Sequence, residues 1–282
     1  MSSPILFPGG FTVLMAVYHG DDADLFERAV RSVFANTLLP NAFLLVVDGP
    51  IHQLLAAVIN RLEAEFSINV LYLPENQGLA RALNAGVNKV KTEWIVRADA
   101  DDINMPERFE CLAYAVASTE MPDLVGSAIV EVDKDGNVLG IRRTALTHHE
   151  IVQFAKYRNP FNHMAVAYKS DLARECGGYP QIHLKEDYGL WALMISKGAR
   201  LANSSEVLVK ATAGRDMYKR RGGLRYAKAE IDLQLHLVSC GIKGRFSALS
   251  HGIMRSVVFL MPPEIRGFIY EKLLRVNQPE SR

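Results

Sequence analysis

The chain has little cysteine, no long apolar run and no glycine-rich loop behind its first predicted strand, and each absence removes a class of protein. Its three cysteines, Cys111, Cys176 and Cys240, are widely spaced, odd in number and without a CxxC or Cys/His pairing. Neither a disulfide frame nor a zinc site is indicated, and a reducing cytosol is the simplest home. No segment approaches the roughly 18 to 20 unbroken apolar residues that span a bilayer. Met1 to Gly10 carries no basic residue ahead of its short apolar stretch and no small-residue cleavage site, so no signal peptide is expected. The first strand runs out into Ala16-Val17-Tyr18-His19-Gly20. A sugar nucleotidyltransferase would need a glycine-rich phosphate loop there and a dehydrogenase a GxGxxG, whereas Gly9-Gly10 comes before the strand.

Net charge is scarce as well. Over 282 residues, 32 basic against 31 acidic groups leave +1, and no nucleic-acid partner is expected. The distribution is uneven: Arg200 to Arg282 carries 15 Lys/Arg against 7 Asp/Glu, a net of +8, which leaves −7 for residues 1 to 199. An acidic front and a basic tail suggest two different partners.

What is present is a regular alternation of short apolar runs and helical patterns. Strands are predicted at Phe11–Tyr18, Phe43–Val47, Val70–Leu73 and Trp94–Ala98, and helices at Asp24–Ala35, Ile51–Phe66 and Gly78–Val90. This is the pattern of βαβ units on a mostly parallel sheet flanked by helices, an α/β fold. Leu124–Val132 and Val138–Arg142 flank an Asp-Gly turn and read as a hairpin. A helix around His149–Tyr157, a strand near Ala165–Tyr168 and a helix from Asp187 to about Ser196 follow. From Leu224 onward the chain reads as helical and basic, and a last helix after Pro262-Pro263 divides Ile265, Phe268, Ile269 and Leu273 from Arg266, Lys272 and Arg275. Such a helix either lies in a membrane interface or docks on the core.

In parallel sheets ligands bind beyond the carboxyl ends of the strands. Those ends carry Tyr18-His19-Gly20-Asp21, Asp48-Gly49, Glu75-Asn76 and Asp99-Ala100-Asp101-Asp102. Three carboxylates crowded at one strand end repel one another and gain nothing for folding unless a cation or hydrogen-bonding ligand neutralises them. Hard oxygen ligands suit Mg²⁺ or Mn²⁺ carrying a diphosphate. The plainer alternative makes Asp102 a cap on the turn into Met105-Pro106-Glu107-Arg108. Asp48 either accepts hydrogen bonds from a nucleoside or forms an Asp-Gly-Pro turn. Arg81, one turn into its helix, meets a phosphate or is a surface arginine. Glu186-Asp187 opens a helix, where acidic groups suit the dipole or one acts as general base. His163 is a structural histidine or a substrate contact. Arg215, Lys219, Arg220 and Arg221 form a basic loop able to recognise phosphate.

Taken in order, these pieces resemble family 2 glycosyltransferases with the GT-A (nucleotide-diphospho-sugar transferase) fold. The matching residues are Val13–Tyr18, Asp48, Glu75–Gly86, Asp99-Ala100-Asp101-Asp102 as the DxD element, Gly177-Gly178-Tyr179, and Glu186-Asp187 as the ED pair. Residues 215–223 narrow the resemblance to amylovoran-type exopolysaccharide and O-antigen transferases. The resemblance implies an inverting transfer from a UDP-, GDP- or dTDP-sugar to a glycan or lipid-linked oligosaccharide acceptor in bacterial surface polysaccharide, exopolysaccharide or lipopolysaccharide, biosynthesis. It implies Asp187 as the catalytic base and Mn²⁺ or Mg²⁺ on Asp101 with help from Asp99. Ala16, Val17, Tyr18, Asp48, Arg81, Asp99, Ala100, His163 and Glu186 are implied at the substrates. One Asp stands at Val47-Asp48-Gly49-Pro50 where many relatives have Asp-Asp-Gly-Ser. The expected organisation is a transferase domain over 1–223, with a nucleotide-sugar half (1–102) and an acceptor half (103–223), then a basic helical extension over 224–282. The expected location is cytoplasmic, peripheral on the inner face of the inner membrane through residues 250–282. The non-enzyme alternative is a scaffold or regulatory subunit of a polysaccharide assembly complex; the intact Asp101 and Asp187 count against it.

Overall fold

The computed structural model describes residues 6–133, 135–213 and 222–261. Strands β1 (Phe11–Val17), β2 (Ala42–Val47), β3 (Ile68–Tyr72) and β4 (Trp94–Arg97) are parallel and lie in the order β3-β2-β1-β4. Between them run α1 (Ala23–Phe34), α2 (Gln53–Glu65) and α3 (Leu79–Val87). β1 is apolar but for Thr12, whose hydroxyl bonds that of Thr92, because both of its faces are covered. Val13, Met15 and Val17 join one core with Phe26, Val30 and Ile59, and Leu14 joins a second with Leu83 and Val87. α1 starts where the Asp22 side chain accepts from the N–H groups of Asp24 and Leu25, a conventional cap.

The second half is mixed. β5 (Ile103–Asn104), α4 (Arg108–Val116), β6 (Leu124–Val132) and β7 (Val138–Arg142) come first. They are followed by α5 (His148–Phe154), a 3₁₀ turn at His163–Ala165, β8 (Ala167–Lys169), α6 (Ser170–Glu175), α7 (Glu186–Ser196) and β9 (Leu201–Thr212). β8 pairs antiparallel with both β4 and β6, so it is a single reversed strand between β4 and β6, which share one direction; the sheet continues as β6-β9-β5, with β9 parallel to β6 and β7 antiparallel on β6. The hairpin predicted at β6–β7 forms.

The predicted spans agree with the observed ones to within about three residues. β5, α4, α6 and β9 were not anticipated. β9 alternates poorly: its middle reads Asn203-Ser204-Ser205-Glu206, and its register against β6 shifts around Ala128. The strand expected near Ala165–Tyr168 starts later, because the 3₁₀ turn takes Ala165.

The C-terminal helices α8 (Leu224–Ser239) and α9 (Arg245–Leu260) follow. α8 packs on α7: Leu233 and Leu237 are fully buried with Tyr188 and Ala192. Burying two such side chains is worth roughly 3 to 6 kcal/mol, so α8 is part of the core. The helix expected after Pro262-Pro263 and the basic loop at 215–221 lie outside the described residues.

Candidate active site

The site is built at the seam. The N-terminal end of β8 lies beside the C-terminal end of β4, with Val96 opposite Ala167 and the Arg97 N–H donating to the Val166 carbonyl at 3.0 Å. The 3₁₀ turn before β8 therefore delivers His163 to the residues that follow β4. His163 Nε2 lies 2.6 Å from Asp99 Oδ2, and its Nδ1 lies 3.6 Å from Asp187 Oδ2 at the start of α7. One side chain thus joins the Asp trio to the ED pair. Asp187 Oδ2 also accepts from Asn159 Nδ2 at 2.6 Å.

Asp99 is doubly held. Its other oxygen, Oδ1, pairs with Arg97, a guanidinium almost wholly buried under the site. Burial alone would raise the Asp99 carboxyl, but Arg97 and His163 overcome it and hold it well below the usual range. His163 shows the mirror effect: burial disfavours its charge, and Asp99 and Asp187 more than compensate, raising it to about 10. Against burial, His163 and Asn159 also keep Asp187 below its ordinary value.

The neighbouring carboxylates lack such partners. Burial, then Asp99 and Asp21, push Asp101 up to about 6, and burial, then Asp99 and Asp101, raise Asp102 further. Burial, then Asp187, lifts Glu186 to about 7. Asp102 does not cap the turn into α4. Its Oδ1 accepts from the Thr212 N–H at 2.8 Å, because β9 runs antiparallel to β5 and brings Thr212 alongside, while Oδ2 is buried without a hydrogen bond. α4 begins at Glu107 with no side-chain cap.

Three groups at the site were given no role by the sequence reading, although Asp21 was named at its strand end. Asp21 accepts from the Tyr18 N–H at 2.9 Å and is pushed up to about 6 by burial, with Asp99 adding to it. Arg97 read only as part of an apolar strand. Arg108 is fully buried, bonds the Arg97 carbonyl at 2.7 Å and pairs with Asn104; burial lowers it to about 9. A basic residue inside a hydrophobic run was the available signal for Arg97.

These groups can be tested as a cation site. One ligand oxygen from each of Asp99, Asp101 and Asp102 falls within 4.8 Å of the others, and two unit charges about 5 Å apart repel by roughly 3 kcal/mol at an effective dielectric near 20. Among the described residues, six carboxylates, Asp21, Asp99, Asp101, Asp102, Glu186 and Asp187, face three cations, Arg97, Arg108 and His163. The surplus negative charge and the unpaired Asp102 Oδ2 fit a divalent ion held by oxygen. Both Asp99 oxygens are already engaged, so Asp101 is the freer ligand.

The remaining expected residues lie on the same side of the sheet, at the ends of β1 and β2 and the start of α3. The Asp48 N–H donates to the Val17 carbonyl at 2.8 Å. The Asp48 carboxylate accepts from the Gln77 and Gly78 N–H groups at 2.8 and 2.9 Å, anchoring the loop before α3. Gly49, at φ +82°, is required by the same closeness: a Cβ there would stand 2.4 Å from the Asn76 nitrogen. Arg81 is exposed on α3, Tyr18 is exposed, Ala16 and Val17 end β1, and Ala100 lies buried between Asp99 and Asp101. Asn84 on α3 clasps the Gly177-Gly178-Tyr179 turn, donating to the Tyr179 carbonyl at 2.9 Å and accepting its N–H at 2.7 Å. A Cβ at Gly178 would meet the Asn84 Oδ1 at 2.2 Å.

Known proteins are similar to this chain in fold and in sequence. The mannosyltransferase PcManGT from Pyrobaculum calidifontis, solved with GDP-Man and Mn²⁺, superimposes with a TM-score of 0.64 at 16% identity, covering 98% of this chain and 83% of that one. This likeness shows the fold, GT-A. The UDP-Gal:alpha-D-GlcNAc-diphosphoundecaprenol beta-1,3-galactosyltransferase of Escherichia coli is 34% identical over 94% of this chain and 96% of its own. The amylovoran biosynthesis glycosyltransferase AmsE of Erwinia amylovora is 34% identical over 93% and 98%. A family model described as Glycosyl transferase family 2 matches residues 12–173. With the sheet, the acidic strand end and these relatives in agreement, the chain belongs to glycosyl transferase family 2.

Proposed function

We propose that the protein transfers a sugar, with inversion, from a nucleotide-diphosphate sugar to a lipid-linked glycan in bacterial surface polysaccharide synthesis. The observation that carries the reading is His163, which sets Asp99 of the donor-side trio and Asp187 of the acceptor side at its two ring nitrogens. Asp187, kept ionised by His163 and Asn159, takes the proton of the acceptor hydroxyl. The freed oxygen bonds to the anomeric carbon while that carbon's bond to the diphosphate breaks, and the nucleoside diphosphate leaves with the electron pair. Asp101, with Asp99 fixed beside it, would hold Mn²⁺ or Mg²⁺. Bound there, such an ion offsets the charge that develops on the diphosphate. Asp48, Tyr18 and the β1 end are assigned to the nucleoside, Arg81 to phosphate, and Glu186 to the acceptor.

The lipid-linked acceptor is supported by the Escherichia coli relative, whose name specifies a diphosphoundecaprenol carrier. Among the described residues no helix is long and apolar enough to cross a membrane, and peripheral placement on the cytoplasmic face of the inner membrane belongs to the same reading.

The test is nucleoside diphosphate release from a panel of UDP-, GDP- and dTDP-sugars, with and without a lipid-linked acceptor, in Mn²⁺, Mg²⁺ or EDTA. Metal-dependent release from one donor, lost in Asp101→Asn and Asp187→Asn, is expected. Release unchanged by EDTA and by both substitutions would overturn the assignment.

A further inference from the structure

Helix α9 is apolar on two faces, and among the described residues only one is covered. Ala248, Gly252 and Phe259 face α8, where a Cβ on Gly252 would lie 3.0 Å from the Ile231 side chain. On the other side Phe246, Leu249, Ile253, Val257 and Leu260 recur at three- and four-residue intervals, a single stripe along the helix. They are 86%, 60%, 54%, 51% and 52% exposed. Of the 22 large apolar side chains exposed among the described residues, nine fall between Leu224 and Leu260, so the feature is concentrated here and is more than ordinary surface scatter.

The exposed charges of the α8–α9 pair are mostly basic. α9 has no carboxylate. Arg245 at its start and Arg225 and Lys228 on α8 are exposed, while Glu230 is buried in an ion pair with Lys185 at 2.9 Å. Asp232 is the one exposed acid on the pair. A second copy docking isologously would bring these basic rims together. An anionic surface with an apolar interior satisfies both the stripe and its rim.

We propose that the outer face of α9 docks on an anionic lipid bilayer. The five stripe residues enter the boundary between headgroups and acyl chains, and Arg225, Lys228 and Arg245 meet lipid phosphates. The inner face of α9 completes the case for a rigid mount. Phe259 lies against the Lys185 ammonium, 5.4 Å from ring centre to nitrogen, and Arg255 approaches Glu230 at 3.6 Å. Lys185 immediately precedes Glu186 and Asp187, so the docked face and the ED pair are two sides of one packed unit.

The experiment is flotation of the full chain with vesicles of phosphatidylcholine alone or mixed with phosphatidylglycerol, at low and high salt. Wild type is expected to float with the anionic vesicles, less so at high salt. Leu249→Glu/Ile253→Glu/Val257→Glu should weaken that partition about tenfold or more with melting temperature unchanged, and a Ser version of the same triple should act in the same direction. Arg225→Gln/Lys228→Gln/Arg245→Gln should remove the salt-sensitive part. Absence of wild-type binding, or equal binding by the triples, would overturn the proposal. So would a lowered melting temperature in both triples, meaning that residues 262–282 cover the stripe, or a triple that turns a dimer into a monomer. Vesicle binding is read without turnover, so this proposal and the transfer chemistry can each fail alone.

Discussion

The acidic trio behind β4 and the acidic pair that opens α7 solve the same electrostatic problem with different materials. Behind β4, Asp99 is pinned by Arg97, a permanent cation from the adjoining strand. At α7, Asp187 is held by neutral Asn159 and by the shared His163. The permanent cation beneath α7, Lys185, is turned away to Glu230 on α8. In both places one carboxylate is kept ionised while a neighbour, Asp101 or Glu186, is pushed up to about 6 or 7. The difference teaches that the trio carries built-in charge compensation and still has a surplus. The pair depends on a histidine whose other partner is in the trio.

Substitution of the two key carboxylates should separate the regions most sharply. Asp187→Asn and Asp101→Asn should each lower turnover on the order of a thousandfold. Only Asp101→Asn should also weaken Mn²⁺ binding in calorimetry, and equal weakening by both would merge the two regions into one. Lys185→Met should next cost about 2 to 4 kcal/mol in denaturant unfolding, since it leaves the buried Glu230 only the longer contact to Arg255 and the Gln234 amide. The double variant Lys185→Met/Glu230→Leu should lose markedly less.

The shared group comes next. His163→Gln should lower kcat/KM about tenfold to a hundredfold. Because it removes a positive charge that favours ionised Asp187, the acidic limb of the pH–rate profile should move to higher pH. An unmoved limb would show that His163 does not couple to Asp187. The smallest effect is on stability. The folded value of Glu186, about 7, lies above its ordinary 4.5. Its contribution is therefore complete below about 4.5 and is lost as pH rises through 7. Glu186→Gln should gain stability over wild type on the order of 1 to 3 kcal/mol at pH 8 and little at pH 5, read as the difference in melting temperature.

The parallel half was legible because β1, β2 and β4 are buried on both faces and stop abruptly at polar residues, so both the fold and the trio could be read from apolar runs. Asp187 was legible as one of a helix-initial pair. His163 and Arg97 were visible as residues but not as partners of Asp99: His163 meets it only across an antiparallel seam between segments more than 60 positions apart, which local periodicity does not encode, and Arg97, two residues before Asp99, was hidden in an apolar strand. β9 was missed because its register shifts and polar centre erase the alternation that marks a strand. Asp48 was read for a nucleoside or a turn; that its carboxylate also holds the loop before α3 was not read, because this use of side-chain oxygens depends on where a distant backbone runs.

The reversal at the β4–β8 seam has a consequence for how such a chain can change by descent. Everything before the seam is contiguous in sequence and pairs in one direction, and the clasp from Asn84 is the main polar tie that α3 sends across. A lineage can therefore inherit the first half nearly intact while the second half drifts toward a new acceptor. Two halves recombined from different ancestors would keep the link between Asp99 and Asp187 where an imidazole still stands at position 163, on the join itself.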